Sequence, residues 1–330
     1  MATGLQGREF AEMRRTRRAH PELACGWTMR GGESFVMSVS DDESVARLIA
    51  AARAEDLGDG DITTGLLDDV HERASFNLVA KAGGVFAGRG IAAEVLRAYD
   101  DSIEIAWTDT GKDGALIKTP PAQLASVHGP LGPVLSAERV LLNFLQRLSG
   151  IATLTRQFVD AVAGTGAAIL DTRKTTPGWR MLEKYAVRCG GGTNHRMGLY
   201  DAVLIKDNHL TGINEDRLAA TVFGYLNRLS QAGNAPAFIA VEADTPRQVE
   251  ELLKVVGIDV IVLDNFPLAA VRQAVALRDE AGLRGTIALE ASGGVTPVTA
   301  RALAETGVDR ISVGSITHSA PAVDISLERA

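Results

Sequence analysis

From residue 166 onward the chain repeats one pattern, a short apolar run closing on a polar residue and then a helix-forming stretch. The runs are AAILD to Asp171, AVLIK to Lys206, FIAVE to Glu242, VIVLD to Asp264, TIALE to Glu290 and RISVGS to Ser315. Segments such as RQVEELLKVV and PLAAVRQAVALRDE lie between them. Near-continuous apolar strands alternating with helices predict a parallel sheet covered on both faces. The run ends recur every 22 to 36 residues, which suits successive β/α units. In an α/β barrel the functional groups gather at the C-terminal strand ends. Asp171, Lys206, Glu242, Asp264 and Glu290 are therefore expected around one mouth. A doubly wound sheet would typically carry G-x-G-x-x-G after its first strand, and no such fingerprint opens a helix here.

The first half reads differently. Ser40 and Glu43 form a capping box ahead of a helix with Val45, Leu48, Ile49 and Ala52 on one face. Between about 73 and 128 come short strands (SFNLVAK, GVFAG, IEIAW, LASVHG) with Gly/Pro turns and a helix near 90–99, a small α+β unit. From Ser136 the chain turns helical, with Gly150 as the expected break. Residues 1–37 read as a poorly ordered extension, with Met29 and Met37 as alternative starts. Their arginines have no apolar segment behind them, which argues against a secretory signal.

Length and composition add limits. A chain of 330 residues, 46% apolar, can bury one large domain and a smaller one. A net charge of −7 offers no broad attraction to nucleic acid or to an anionic membrane. No apolar run reaches the length of a membrane span. Two cysteines without metal-ligand spacing suit a reducing compartment, hence a cytoplasmic protein. The charge is uneven: 171–209 holds seven Lys/Arg against four Asp/Glu, so it is +3 in an otherwise acidic chain. A local cationic island of this kind points to a small anionic ligand, although a solvated helix face gives a similar count.

The chemistry-bearing positions can be weighed one by one. SGG at 292–294 and VGS at 313–315 follow the last two runs, where barrels commonly bind phosphate through backbone N–H groups. His318 follows closely and can donate to the same anion; ordinary β-to-α turns are the alternative. Glu242 and Asp264 suit a Mg²⁺ held through water, or ribose hydroxyls, unless each simply caps the next helix. Lys206 at a run end can form a Schiff base or bind an anion as a cation. Arg173 and Arg196 can each grip a carboxylate bidentately. His195 is expected to be held neutral or to donate to that same anion, while GGG at 190–192 lets the backbone wrap a ligand. Arg180, Lys184 and Arg188 recur at helical spacing and are expected on a solvated or intersubunit face. These residues alone indicate a barrel enzyme for a phosphorylated sugar and a polycarboxylate.

Long stretches resemble the quinolinate phosphoribosyltransferase family: EDLGDGDIT (55–63), SAERVLLNFLQRLSGIAT (136–153), LDTRKTTPGWRMLEKYAVRCGGGTNHRMGLYDAVLIKDNH (170–209), VEADT (241–245), LDNF (263–266), LEASGG (289–294) and ISVGSITHSAPAVDISL (311–327). The resemblance implies an incomplete α/β (TIM-like) barrel over 146–317, with an N-terminal α+β domain over 38–145 joined by about 318–330. It implies transfer of phosphoribosyl from 5-phosphoribosyl 1-diphosphate to the quinolinate nitrogen with loss of CO₂, using Mg²⁺. By position, Arg173, His195, Arg196 and Lys206 resemble quinolinate-binding residues, with Lys174 near both quinolinate and diphosphate and Thr172 also among the substrate-binding positions. Glu242 and Asp264 resemble the ribose and metal residues, and Lys174, Lys206, Glu242 and Asp264 together resemble the catalytic set. Ser292, Gly293, Gly294, Val313, Gly314, Ser315 and His318 resemble the 5-phosphate cradle. Arg139 resembles an arginine delivered across a homodimer interface into a shared active site, with assembly beyond the dimer left open.

Competing readings are the molybdenum-associated paralogue of the family, a nicotinate phosphoribosyltransferase needing fewer cations, and an aldolase using Lys206. A carrier-domain hairpin at 112–128 lacks the lysine at its tip that such a domain requires.

Overall fold

The computed structural model describes residues 42–330; the extension expected over 1–37 and Ser40 of the capping box lie outside them. The described chain divides into two compact units. One contains 158–173 and 193–313, the other 42–157, 174–192 and 314–330.

In the second of these, helix α1 (Glu43–Leu57) is capped by Asp42, whose carboxylate accepts from the Ser44 N–H at 2.7 Å. Strand β1 (Arg73–Ala80) alternates as its sequence suggests, burying Ala74, Phe76, Leu78 and Ala80. After β2 (Gly84–Val85), α2 (Arg89–Tyr99) buries Ile91, Ala92, Val95 and Leu96 along one face. Then come β3 (Glu104–Trp107), β4 (Leu116–Ile117) and β5 (Ala122–Pro130). The C-terminal strand β12 (Ile325–Arg329) pairs antiparallel with β1, completing a sheet in the order β12-β1-β5-β3.

Helix α3 (Leu131–Ala161) runs 31 residues without the expected break at Gly150. That glycine serves close packing: a Cβ there would lie 2.0 Å from the Pro321 carbonyl oxygen. Helix propensity disfavours Gly by about 1 kcal/mol, and the approach of the 320–322 backbone outweighs it. The same unit contains α4 (Arg180–Cys189) and the short α9 (Ser315–His318). On α4, Lys184 is buried, contrary to the solvated face expected for it.

The other unit is built on six parallel strands: β6 (Ala168–Leu170), β7 (Val203–Ile205), β8 (Ile239–Ala243), β9 (Val260–Asp264), β10 (Ala288–Ser292) and β11 (Arg310–Ser312). Their order is β6-β11-β10-β9-β8-β7. Each strand from β7 to β11 lies beside its successor, and the last lies beside the first. A doubly wound sheet reverses direction at a switch point, whereas this is the cyclic order of a barrel with the β6–β7 ladder missing. Thr193 adds one parallel bridge to the free edge of β6 through Leu170. The fold is thus an incomplete α/β barrel: the apolar runs predict the barrel, and the family resemblance implies its incompleteness. Helices α5 (Glu215–Gln231), α6 (Pro246–Leu252), α7 (Leu268–Glu280) and α8 (Pro297–Ala304) follow successive strands. Helices α6 and α8 begin on the same local chemistry, Thr245 or Thr296 accepting from the N–H three residues on, with Pro at the first helical position.

Replacing Gly150 by Ala should therefore destabilise the chain by about 1–3 kcal/mol through overpacking against Pro321. A urea unfolding midpoint equal to that of the wild type would show that the contact yields at no cost.

Candidate active site

Parallel register decides which side chains share the rim. Asp264 is the last residue of β9 and pairs with Ser292, the last of β10. Ser312, the last of β11, pairs with Ser292 on one side and Leu170 of β6 on the other. Glu242 is one residue from the end of β8, and Lys206 directly follows β7. Across these two strands Lys206 Nζ lies 2.8 Å from Glu242 Oε1, with the lysine half-exposed.

Neither acid is a helix cap. Helix α6 is capped by Thr245 and α7 starts at Pro267 without a side-chain cap. The Asp264 carboxylate instead accepts from Asn265 Nδ2 at 2.9 Å. Asn265 holds φ = +54°, a conformation Asn tolerates better than most residues, and its N–H donates to the Ser292 carbonyl at 2.8 Å. This turn sits so close to Gly293 (φ +105°) that a Cβ there would lie 2.1 Å from Asn265 Oδ1. Sequence reasoning passed over Asn265; its position between Asp264 and Pro267 was the available signal.

The cations form a second group on the same unit. The Arg196 guanidinium is held below its ordinary pKa first by burial and then by the charge of Arg173, with Asp201 and Glu242 opposing. Arg173, Asp201 and Glu242 therefore all lie within electrostatic reach of Arg196. Arg196 Nη1 also donates to the Ala202 carbonyl at 3.1 Å, and Asp201 accepts from the N–H groups of Met197 and Gly198, fixing the turn beyond Arg196. Thr172 immediately precedes Arg173, after β6.

Three expected mouth residues are placed differently. Strand β10 runs two residues past Glu290, so this residue sits mid-strand and fully buried. Asp171 is also fully buried, accepting from the His195 N–H and from Asn194 Nδ2. The His195 ring was expected to face an anion. It accepts from the Arg196 N–H on Nδ1 at 2.8 Å and places Nε2 3.4 Å from Glu290 Oε1, with its edge against Phe238. That pattern puts the ring proton on Nε2. Arg310 Nε lies 2.8 Å from the other Glu290 oxygen, but its N–H is not aimed there, and neither atom makes a hydrogen bond. Burial alone would raise the Glu290 carboxyl; the facing His195 and Arg310 more than offset it and hold it at about 2.

The remaining expected residues belong to the other unit. Gly314 approaches Lys174 and His318 together: a Cβ on it would lie 3.0 Å from Lys174 Cδ and 3.3 Å from His318 Nε2. Thr317 Oγ1 donates to the carbonyls of Lys174 at 2.8 Å and Gly314 at 2.9 Å. Ser315 opens α9, and His318 Nδ1 lies 2.6 Å from Ser319 Oγ. Arg139 is exposed on α3. Val313 stays with the barrel, its N–H donating to the Leu170 carbonyl at 2.9 Å. No cluster of three or more His, Cys, Asp or Glu able to hold a metal exists among the described residues. Two carboxylates on adjacent strands still fit a Mg²⁺ that keeps its waters and arrives on a substrate phosphate.

A parallel barrel whose rim combines guanidiniums, a lysine, two carboxylates and a glycine turn defines an α/β-barrel enzyme for anionic ligands. The chain matches the family models for the quinolinate phosphoribosyl transferase C-terminal domain over residues 151–328 and N-terminal domain over 61–149. A Bacillus subtilis protein named "Probable nicotinate-nucleotide pyrophosphorylase (carboxylating)" is 41% identical over 274 residues, 83% of this chain and 89% of its own. A Nicotiana tabacum quinolinate phosphoribosyltransferase (decarboxylating) is 36% identical over 91% of this chain and 87% of its own. The structure of the Francisella tularensis nicotinate-nucleotide pyrophosphorylase superposes with a TM-score of 0.77 at 35% identity, covering 88% of this chain and 98% of that one. The chain belongs to the quinolinate phosphoribosyltransferase family, whose named members are pentosyltransferase enzymes.

Because Glu290 is buried against Arg310, Glu290→Gln should cost about 3–5 kcal/mol by stranding a cation, while Glu290→Met with Arg310→Met should recover most of it. The depressed carboxyl adds stability that is complete above its ordinary pKa of 4.5 and is lost as pH falls toward about 2. Urea titrations at several pH values should show that component in the wild type and not in the double variant. An equal cost in single and double variants would remove the pair from the stability argument.

Proposed function

We propose that this protein transfers phosphoribosyl from 5-phosphoribosyl 1-diphosphate to the quinolinate nitrogen and releases CO₂, giving nicotinate mononucleotide and diphosphate for NAD biosynthesis. The observation that carries this reading is the approach of Arg173 and Arg196 beside the Lys206–Glu242 pair. Arg173 and Arg196 can each grip a carboxylate bidentately, and a dicarboxylate is the ligand that uses both.

In this reaction the pyridine nitrogen lone pair forms the bond to the anomeric carbon as diphosphate leaves with its electrons. The nitrogen becomes cationic. The C2–carboxylate bond then breaks, CO₂ departs, and the electron pair left on C2 is stabilised by that cation until solvent protonates it. No general base is required, because the attacking nitrogen carries no proton to remove. Arg173, Arg196 and Lys206 orient the diacid; His195 acts on Arg196 through its backbone. Lys174, Gly314, Ser315 and His318 suit phosphate contacts in one unit, and the Ser292–Gly294 turn and Val313 suit them in the other. Mg²⁺, held through water by Glu242 and Asp264, would offset diphosphate charge.

Lys206 stands beside a carboxylate at 2.8 Å and is half-exposed, a setting for an ammonium ion rather than for the desolvated amine of a Schiff-base enzyme. The cytoplasm is the expected compartment, since among the described residues no helix is long and apolar enough to cross a membrane and Cys189 is free. Exposed Arg139 suits a homodimer that shares its active sites.

Incubation with quinolinate, 5-phosphoribosyl 1-diphosphate and Mg²⁺ should release CO₂ and form nicotinate mononucleotide, while nicotinate in place of quinolinate should not react. Chelation of the metal should stop turnover and added Mg²⁺ restore it. Arg173→Ala should lower kcat/KM for quinolinate by about 10²–10³-fold, with Lys206→Ala nearly as damaging. Near-wild-type product formation by either variant would overturn the site assignment.

A further inference from the structure

Segment 174–178 carries Lys174 and is mostly exposed, so its conformation has to be fixed by a few anchors. Those anchors form a closed circuit. Glu183 on α4 is fully buried and accepts from the Thr176 hydroxyl at 2.9 Å and the Thr176 N–H at 3.2 Å. Arg147 on α3 donates from Nη2 to Glu183 Oε1 at 2.8 Å, from the same nitrogen to the Thr317 carbonyl, and from Nη1 to the Ala320 carbonyl at 2.9 Å. Thr317 in turn donates its hydroxyl to the Lys174 carbonyl at 2.8 Å. The circuit thus runs Arg147, Glu183, Thr176, along the chain to Lys174, then Thr317 and back to Arg147.

We infer that Arg147 and Glu183 are positioning residues for the phosphate-binding group Lys174–Gly314–His318, acting through Thr176 and Thr317. The inference rests on the phosphoribosyl-transfer reading above. A guanidinium is suited to this post because its planar fork serves a carboxylate and two carbonyls at once, which an ammonium on a flexible stem does not hold in one geometry. The buried carboxylate is suited because its two oxygens meet both polar groups of Thr176 while still facing the arginine. With the Lys174 carbonyl and the start of α9 tied to one node, the lysine stem stays against Gly314. Loss of either threonine contact frees the loop without removing a group that touches the ligand.

The test uses the full-length protein and inorganic diphosphate as the calorimetric probe, alongside steady-state KM values for both substrates and the melting temperature. Thr176→Val and Thr317→Val each delete one hydroxyl and nearly keep its volume. Each should weaken diphosphate binding and raise KM for 5-phosphoribosyl 1-diphosphate about fivefold or more, the scale of one buried hydrogen bond, leaving KM for quinolinate within about twofold. Thr176→Ser, which restores the hydroxyl, should return to wild-type affinity. Glu183→Gln and Arg147→Lys should lose more than either threonine variant; should they fail to fold, the threonine pair still decides. Unchanged diphosphate affinity with a lowered melting temperature in both Val variants would make the circuit purely structural and overturn the inference. A wild type that neither binds diphosphate nor releases CO₂ would overturn the functional reading and this inference with it.

Discussion

The central physical constraint is the placing of like charges. Arg196 is partly desolvated, and the charge of Arg173 further disfavours its own. A free chain would relax such a contact by letting one side chain swing into water. Here Arg196 is held through its own N–H by His195, through its guanidinium by the Ala202 carbonyl, and through the following turn by Asp201. Arg173 lies three residues beyond the end of β6. Arg196 is therefore held in place, and the dicarboxylate proposed as ligand would offset its charge together with that of Arg173.

That arrangement depends on what lies beneath the rim. His195 is fixed by Glu290, which is fixed by Arg310 at the start of β11. Below the cationic rim the barrel thus contains a buried charge and its counter-charge, where most barrels place branched aliphatic side chains. The Arg310–Glu290 pair is close but poorly aligned, so its attraction is mostly Coulombic and its desolvation cost is only partly offset by hydrogen bonds. A fully apolar interior would be at least as stable. What it would lack is an anchor for the imidazole, and through it for Arg196.

The strand ends were legible in the sequence because parallel strands buried on both faces read as apolar runs, and the residue after such a run lies near the rim whatever the details. This placed Lys206, Glu242 and Asp264 correctly. It failed at Glu290 because the apolar pattern continues through Ala291, so the strand extends past the charge and turns it inward. It failed at Gly150 because a close backbone approach from Pro321 leaves no local trace; the same glycine in a solvated helix would indeed weaken it. Lys184 was misread because helical spacing of cations looks the same whether the face meets water or protein. The Arg147–Glu183 circuit was invisible for a similar reason: its members lie on three segments far apart in sequence, and no single segment shows an unusual composition.

The mixed charge of the rim follows from the reaction proposed for it. The base enters with two negative charges, carries one net negative charge once its nitrogen is alkylated, and is neutral after CO₂ leaves and a proton is gained. A purely cationic pocket would hold the first state best and so oppose the chemistry, since only interactions stronger in the transition state accelerate it. In the reaction proposed, Glu242 and Asp264, near the ends of β8 and β9, would supply negative potential where positive charge develops on the ring nitrogen and the sugar. Glu242, paired with Lys206 and within electrostatic reach of Arg196, makes the field graded rather than uniform. The same gradient weakens the grip on the base as its charge falls to zero, so the forces that collect the diacid also favour release of the nucleotide.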